Sequence, residues 1–224
     1  MKIYAENGLP FYTASDINAR LYITDQLSTE VIDILMGQNR SWCFKRIEAP
    51  ILIPPNLVSS EYSKDDYYTV GEFHLRPETT AASYAYAKYL NNNLQFTPPT
   101  CIWQLAKSFR KENDQVSKNM RFKEFYQLEF QCIYTEDTKN DYQENVLEPL
   151  RLAVQSLTTL ETRIVKSDRL PSYSLRTMDI EVKAPHKWLE VCSISLRNDA
   201  PFEWNNKKLL NLEIAFGADR LALV

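Results

Sequence analysis

The segment FYQLEFQCIY, residues 125–134, constrains the fold of this chain more than any other stretch of its sequence. Its residues alternate between two faces, because successive side chains on a β-strand point to opposite sides. The alternation predicts a strand with a hydrophobic core on one side and a polar, wet floor on the other. The core-facing residues are Tyr126, Leu128, Phe130, Cys132 and Tyr134, and the floor-facing residues are Phe125, Gln127, Glu129 and Gln131.

Further segments of the sequence predict the remaining helices and strands. Thr13 and Asp16 have the spacing of a capping box before one or two helices over 14–36. Strands separated by hairpin-like loops, with helices outside them, predict a single α+β domain over residues 1–224, an antiparallel β-sheet flanked by helices. The predicted strands span 42–52, 70–77, 101–109, 125–134, 187–197 and 208–216, and the other predicted helices span 79–90, 145–164 and a segment from 218 onward.

Composition argues against several classes of protein. No apolar run approaches the roughly 18 residues of a membrane helix, and the start MKIYAENGLP lacks a secretory signal, so we expect a cytoplasmic protein with no membrane partner. A formal net charge of −3 argues against coating nucleic acid by bulk attraction. The four glycines are too dispersed for a glycine-rich phosphate loop, and the four cysteines include no CxxC pair that would suggest structural zinc.

The segment FRKENDQVSKNMRFKEF, residues 109–125, carries two clusters of Arg and Glu around a polar centre. Arg110 and Glu112 share one strand face, and if 113–120 form a hairpin loop, that face continues into Phe125 and the polar floor. Guanidinium groups bind phosphate oxygens, an aromatic ring stacks on a base, and a carboxylate accepts a hydrogen bond from an exocyclic amine. These residue types suit a nucleotide, and a solvated hairpin tip is the alternative interpretation.

Three acidic residues and one further arginine occupy unusual positions. Glu190 and Glu213 fall within otherwise apolar strands, where an unpaired carboxylate is costly, so each needs a partner such as an ammonium group or a metal ion. Glu78 ends a strand where a helix begins, a position that also suits an ordinary acid at a helix N-terminus. Arg220 follows Gly217 at the start of the last helix, either as an ordinary helix start or as a second arginine directed at the sheet.

In this order, the segments resemble the catalytic core of class II aminoacyl-tRNA synthetases, in particular the dimeric type of glycyl-tRNA synthetase. Motif 2 of that family reads fRxE, a loop, then RxxEF, and it is similar to CIWQLAKSFRKE followed by RFKEFYQLEFQCIY in this chain. NLEIAFGADRLAL is similar to motif 3, EPSxGxDR, and FKRIEAPIL more weakly to motif 1. LRPETT is similar to the LRPETAQG loop, and WLEVCSISLR to the WxE…GIADR strand. These matches place motif 1 at about 40–50, motif 2 at about 101–134 and motif 3 at about 208–224.

The resemblance implies that ATP and Mg²⁺ bind here and that Arg110 and Arg220 are catalytic. Arg110 would hold the ATP α-phosphate and the amino-acid carboxylate, Arg121 the outer phosphates, and Glu112 the adenine amine. Phe125 and Arg220 would enclose the adenine ring, a role that their chemistry allows. By the same resemblance, the amino-acid site contains Glu78, Glu129, Glu213, Arg197 and Gln127, and Glu190 is the candidate magnesium ligand.

Three departures from the family's pattern affect the amino-acid pocket rather than the ATP site. The glycine-specific pocket is therefore in question, whereas the ATP-site residues match. The family's EPS becomes Glu213-Ile214-Ala215, its GIADR becomes Ser193-Ile194-Ser195-Leu196-Arg197, and its ETAQG becomes Glu78-Thr79-Thr80-Ala81-Ala82.

These observations predict a minimal class II synthetase-like core, without the family's anticodon-binding domain, that forms an aminoacyl-adenylate from ATP and glycine or another small amino acid. The activated amino acid would pass to the acceptor end of tRNA or to another acceptor. The alternative is a catalytically inactive paralogue acting as a regulatory or tRNA-binding accessory dimer, and a third is an unrelated α+β binding domain. The resemblance also implies a homodimer with Trp42 to Pro50 at its interface, for which a buried strand is the alternative.

Overall fold

The computed structural model describes residues 4–6, 8–112, 120–168 and 170–224. No helix in this part of the chain is long and apolar enough to cross a membrane. In chain order the elements are β1 (Tyr4–Glu6), β2 (Leu9–Phe11), α1 (Ala14–Gln38), β3 (Cys43–Arg46), β4 (Leu52–Ile53), β5 (Thr69–Val70), β6 (Phe73–Leu75), α2 (Thr80–Asn92), β7 (Thr100–Phe109), β8 (Glu124–Thr135), α3 (Tyr142–Thr158), β9 (Thr162–Lys166), β10 (Ser174–Ala184), β11 (Lys187–Arg197), β12 (Leu209–Gly217) and α4 (Ala218–Leu223), with a short 3₁₀ turn at Pro55–Leu57.

A seven-stranded sheet forms the centre of the fold, in the order β3-β7-β8-β12-β11-β10-β9. Every neighbouring pair is antiparallel except β3 and β7, which are parallel. The long connection between β3 and β7, which contains α2, permits this parallel pairing. The predicted α+β fold with a sheet flanked by helices is confirmed, and the expectation of a wholly antiparallel sheet is wrong at this one edge.

The two faces of the sheet are covered differently. Helices α1, α3 and α4 pack on one face, around fully buried residues such as Leu27 of α1, Leu128 of β8 and Leu150 of α3. Burying a leucine side chain of this kind contributes about 1.5–3 kcal/mol. Helix α2 covers part of the opposite face, where Leu90 packs against Ile133. The rest of that face is open and becomes the floor of a cavity.

Strand β8 shows the predicted alternation, but its polar face is only partly wet. Phe125 and Gln127 are half-buried, whereas Glu129 is 3% exposed and Gln131 is 0% exposed. The difference arises because Thr80, the first residue of α2, hydrogen-bonds both Glu129 and Gln131. The floor is therefore open at the start of β8 and closed further along the strand.

One continuous helix, α1, follows the predicted capping box. The backbone N–H of Asp16 donates to Thr13 Oγ1 at 3.3 Å, and the backbone N–H of Thr13 donates to the Asp16 carboxylate at 2.8 Å. These two bonds satisfy donors that a helix N-terminus otherwise leaves unpaired.

The helix predicted over 145–164 ends earlier than its apolar spacing indicated. Helix α3 stops at Thr158, and Thr159 has a left-handed φ of 57°, with its N–H donating to the carbonyl of Gln155 at 2.8 Å. Leu160 and Ile164 still pack against the same core, but from a turn and from β9. The apolar residues at helical spacing therefore do reach the core, but those up to Thr158 belong to a helix and Leu160 and Ile164 do not.

The predicted strand over 42–52 is interrupted after Arg46. The N–H of Ile47 still donates to the carbonyl of Trp103 at 2.9 Å, but the next strand, β4, belongs to a separate three-stranded sheet of order β4-β6-β5. Within the segment expected at a dimer interface, Trp42 is 5% exposed and packs in the protomer's own core against Tyr134 and Tyr142, whereas Cys43 is exposed.

Arg76, which is 2% exposed, joins the interrupted segment to β7. Its Nη1 donates to the carbonyls of Ala49 and Pro50 at 2.8 and 3.0 Å, and its Nε donates to that of Lys107 at 2.8 Å. These acceptors offset the cost of burying a guanidinium group. They also hold the loop that carries Glu78 against the sheet.

Candidate active site

A cavity of about 760 Å³ lies over the open face of the sheet. Its floor consists of alternate residues of the four neighbouring strands β8, β12, β11 and β10. The register pairs Glu129 with Ala215, Ala215 with Ser193, and Ser193 with Asp179. These four residues therefore form one row across the floor.

Arg110 directly follows β7 and lies beside Phe125. Its guanidinium carbon is 5.2 Å from the centre of the Phe125 ring, and its Nε donates to the carbonyl of Pro77 at 2.9 Å. The backbone N–H of Arg110 donates to the carbonyl of Lys123 at 2.9 Å, which continues the pairing of β7 with β8. The two sides of the predicted hairpin are thus paired, while residues 113–119 of its loop lie outside the described residues.

Arg220, at the start of α4, points back over the sheet. Its Nη1 donates to the carbonyl of Glu190 at 2.8 Å and lies 3.8 Å from the Glu190 carboxylate, and its Nε donates to the carbonyl of Met120 at 3.3 Å. A Cβ at Gly217 would stand 3.4 Å from Arg220 Cδ, an ordinary van der Waals contact, so this path of the arginine does not require glycine there. Of the two alternatives for Arg220, the structure shows the arginine directed at the sheet.

Positive charge is concentrated at the end of the cavity where Arg110 and Arg220 lie. Burial lowers the pKa of Arg220, and the nearby guanidinium groups of Arg121 and Arg110 lower it further, against the opposing effect of Glu190. Arg121 is exposed at the cavity edge, and Glu112 lines the same end. The arrangement offers several guanidinium groups and one aromatic ring to an anionic ligand.

Three carboxylates meet further along the floor. Glu78, Glu129 and Glu213 are each less than 10% exposed. Thr80 Oγ1 lies 2.9 Å from both Glu129 Oε1 and Glu213 Oε2, and Gln131 Nε2 donates to the same two oxygens at 2.7 and 2.9 Å. Two acids that share the same donors are held close together, which is unfavourable when both are charged.

Arg197 balances only part of this negative charge. Its Nη1 is 2.6 Å from Glu213 Oε2, its Nη2 is 2.7 Å from Asp199 Oδ2, and its guanidinium carbon stacks 3.6 Å above the ring of Tyr173. Neither Glu78 nor Glu129 forms an ion pair with a basic side chain of the described residues. The site therefore holds more acid than base.

Burial, together with the neighbouring carboxylates, raises the pKa of both Glu78 and Glu129. Burial raises the pKa of Glu129 to about 7, with further contributions from the neighbouring carboxylates of Glu213 and Glu78. Burial also raises the pKa of Glu78, followed by the effect of Glu213, although the Tyr62 hydroxyl donates to Glu78 at 3.2 Å. A cationic group of a ligand among these acids would favour their charged forms.

The remaining expected residues, Gln127 and Glu190, also line the cavity. The side-chain oxygen of Gln127 accepts a hydrogen bond from Ser108 at 2.6 Å, which fixes its orientation. Glu190 stands at the rim beside Arg220. Within the described ranges, no three His, Cys, Asp or Glu side chains are grouped closely enough to hold a metal ion. A magnesium ion at Glu190 would therefore need most of its ligands from a bound phosphate and water.

Sequence reasoning missed Asp219 and Thr80. Asp219 is 3% exposed and accepts hydrogen bonds from the Tyr12 hydroxyl at 2.7 Å, the Tyr126 backbone N–H at 2.7 Å and Arg20 at 3.0 Å. It thereby anchors α4, and with it Arg220, to α1 and β8. Its partners Tyr126 and Tyr12 lie about 100 and 200 positions away in the sequence, so no local pattern around Asp219 could identify them.

The fold matches known structures over nearly the whole chain. A prolyl-tRNA synthetase of Giardia lamblia, solved with prolyl-adenylate, superimposes with a TM-score of 0.72 over 98% of this chain and 48% of that one, at 15% sequence identity. A seryl-tRNA synthetase of M. kandleri, solved with a tRNASec of A. aeolicus, gives a TM-score of 0.75 over 99% of this chain and 54% of that one, also at 15% identity. The fold is that of the class II aminoacyl-tRNA synthetase catalytic core.

Within that class, the sequence is similar to that of glycine–tRNA ligases, as its motifs predicted. The enzyme of Mycoplasma capricolum is 29% identical over 172 residues, 67% of this chain and 38% of the relative. Those of Lysinibacillus sphaericus and Alkaliphilus metalliredigens are 31% and 32% identical, each over 64% of this chain. The chain thus spans between about a third and two fifths of the length of these relatives. No protein-family model matches it.

Proposed function

We propose that this chain activates an amino acid with ATP, forming an aminoacyl-adenylate and pyrophosphate. The observation that carries the proposal is the division of one sheet face into two chemically different regions. One region has Arg110, Arg220 and Phe125, and the other has buried carboxylates without enough cations to balance them. An amino acid and ATP together supply the missing complement, since the ammonium group suits the acids and the phosphates suit the arginines.

The ATP region has the residue types that the reaction needs. In this proposal Phe125 and Arg220 hold the adenine ring between them, and Glu112 accepts a hydrogen bond from its amine. Arg110 holds the α-phosphate and the carboxylate of the amino acid, and Arg121 holds the outer phosphates. Mg²⁺ bound through Glu190 would neutralise phosphate charge. Attack of the amino-acid carboxylate on the α-phosphate requires positioning and charge neutralisation rather than a general base.

The acid-rich region positions the amino acid for that attack. Its ammonium group lies among Glu78, Glu129 and Glu213, with Arg197 holding Glu213 in place and Gln127 lining the path to Arg110. Glycine is the first substrate to test because of the named relatives, and the acceptor of the activated group is tRNA or another molecule.

A catalytically inactive accessory protein is the second candidate. One observation favours it: Ala215 and Ser193, which are paired on the cavity floor, both differ from the family pattern. That pattern has serine at the position of Ala215 and glycine at the position of Ser193. Such a protein would bind tRNA or a partner without forming an adenylate. The two candidates differ in whether any amino acid supports exchange of pyrophosphate into ATP.

The test is amino-acid-dependent exchange of labelled pyrophosphate into ATP, screened over all proteinogenic amino acids. We expect exchange with at least one of them and a loss of about 100-fold or more in Arg110→Ala, because removing a preorganised charge at the α-phosphate has effects of this size. Lys88→Ala, at an exposed position on α2, is the matched control and should retain full activity. Absence of exchange with every amino acid, together with no ATP binding, would refute the proposal in favour of the accessory role.

A further inference from the structure

The row of paired residues on the cavity floor continues beyond the three carboxylates. From Glu129 it passes through Ala215 and Ser193 to Asp179, and Val165 of β9 stands opposite Asp179 at the far end. The chemistry proposed above uses the Glu129 end of the row. It leaves Asp179 without a role, although Asp179 lines the same cavity.

Asp179 is a buried acid that forms no ion pair with a basic side chain of the described residues. It is 6% exposed and accepts hydrogen bonds from Ser193 Oγ at 2.8 Å and from Ser167. Burial raises its pKa, and the charges of Glu190 and Glu181 add to the effect. The nearest arginine on β9, Arg163, is already paired with Glu181 at 2.6 Å. In the described part of the chain, no lysine, arginine or histidine forms an ion pair with Asp179.

The floor between the two acidic ends carries only short side chains. Ala215 contributes a methyl group and Ser193 a hydroxymethyl group, and on the adjoining row Ser195 and Thr177 hydrogen-bond each other at 3.0 Å. Neighbouring strands are about 4.8 Å apart, so Ala215 and Asp179, two strands apart, are separated by about 10 Å. Nothing longer than a serine projects into this interval from either row.

We infer that the amino acid activated here carries a side chain ending in a cation, an ammonium or guanidinium group, that binds Asp179. The α-ammonium group of this substrate lies among Glu78, Glu129 and Glu213, and its side chain runs over Ala215 and Ser193 toward Asp179. The four-carbon stem of lysine is long enough for most of the distance of about 10 Å between Ala215 and Asp179, and the Asp179 side chain covers the remainder. A buried carboxylate without a counterion is costly, and the substrate's second cation removes that cost. This inference rests on the proposed adenylate formation and replaces the small amino acid implied by the resemblance.

The experiment compares substrates and variants in the same exchange assay. Lysine, ornithine and arginine are assayed against glycine and norleucine, which shares the length of lysine without its charge. We expect at least one of the three basic amino acids to have the highest kcat/KM. We expect Asp179→Asn to lower that value about 100-fold, because a site built to pair with a polar group strongly rejects a mismatch. Asp33→Asn, at an exposed position of α1 outside the cavity, makes the same charge change and should have little effect.

Binding of non-reactive aminoacyl-sulfamoyl adenosines to the wild-type chain tests the same point without a variant. The lysyl or arginyl compound should raise the melting temperature more than the glycyl compound does. Exchange with glycine but with no basic amino acid overturns this inference and leaves adenylate formation standing. Exchange with a basic amino acid that Asp179→Asn does not alter, in a variant that melts like wild type, also overturns it. Absence of all exchange removes the proposed function, and this inference with it.

Discussion

Glu129 binds its proton more tightly in the folded protein than in the unfolded chain. Its pKa rises from an ordinary 4.5 to about 7 because it is buried beside two other acids. Between these values the folded state holds more protons than the unfolded state, so the free energy of unfolding must fall as pH rises. One pKa unit corresponds to about 1.4 kcal/mol, and the full effect is about 3 kcal/mol at most.

We therefore expect the wild-type free energy of unfolding to decrease between about pH 4.5 and pH 7, and the decrease to be smaller in Glu129→Gln. Urea unfolding at several pH values measures it. The slope with pH is the readout, because the substitution also changes hydrogen bonds with Thr80 and Gln131 at every pH. Glu144→Gln, an exposed acid in the first turn of α3, is the control. Parallel pH profiles for wild type and Glu129→Gln would contradict the assignment.

The individual residues of the site were predictable to different degrees. The alternation of β8 was enough to bring Phe125, Gln127 and Glu129 to one face, because a strand fixes the direction of every second side chain. The ion pair of Arg197 with Glu213 was not predictable in this way, since it depends on the register between β11 and β12. Neither was the position of Asp179 in the same row as Ser193 and Ala215, which depends on the pairings of β10 with β11 and of β11 with β12.

Among the elements, the long strands β7, β8, β11 and β12 were predicted within one residue of their bounds, whereas β9 and β10 were missed. The bounds predicted for β11, 187–197, agree with the structure. β10 was overlooked because Thr177, Asp179 and Glu181 occupy its cavity face, and β9 was absorbed into the predicted helix. A helical spacing of apolar residues does not say where the helix ends, and the end of α3 depends on the backbone of Thr159.

Thr159 offers a direct test of how α3 ends. A non-glycine residue in the left-handed conformation costs about 1–2 kcal/mol, and glycine loses part of that gain through its greater freedom in the unfolded chain. We expect Thr159→Gly to raise the free energy of unfolding by roughly 0.5–1 kcal/mol. Thr29→Gly, at an exposed site inside α1, should lower it by a similar amount. Destabilisation by both substitutions would show that Thr159 is not strained.

At the scale of the whole molecule, apolar side chains remain exposed along β2 and the first turns of α1. Phe11 is 61% exposed, Leu21 50% and Tyr22 63%. Leu21 and Tyr22 line a smaller cavity of about 340 Å³, together with Arg46 and Trp103. Exposed apolar groups of this kind often mark interfaces. The homodimer expected from the resemblance has Trp42 to Pro50 at its interface, and Arg46 of that segment lines the same small cavity as Leu21 and Tyr22.

We expect the chain to be a dimer in light scattering coupled to gel filtration, and Leu21→Asp to shift it toward monomer, because a charge would be buried at the interface. Leu152→Asp, which changes a residue 51% exposed on α3, should leave the dimer intact. A monomeric wild-type chain would contradict the expectation, and an unaffected Leu21→Asp dimer would place the interface elsewhere.

The buried guanidinium group of Arg76 also limits how this chain can be shortened. Two of its three carbonyl acceptors, on Ala49 and Pro50, belong to a part of the sequence that contributes no side chain to the proposed chemistry. A fragment that began after Pro50 would keep every residue of the proposed site but leave Arg76 buried with one acceptor. The loop carrying Glu78 would then lose its support, so the smallest autonomous version of this fold extends well beyond its chemical centre.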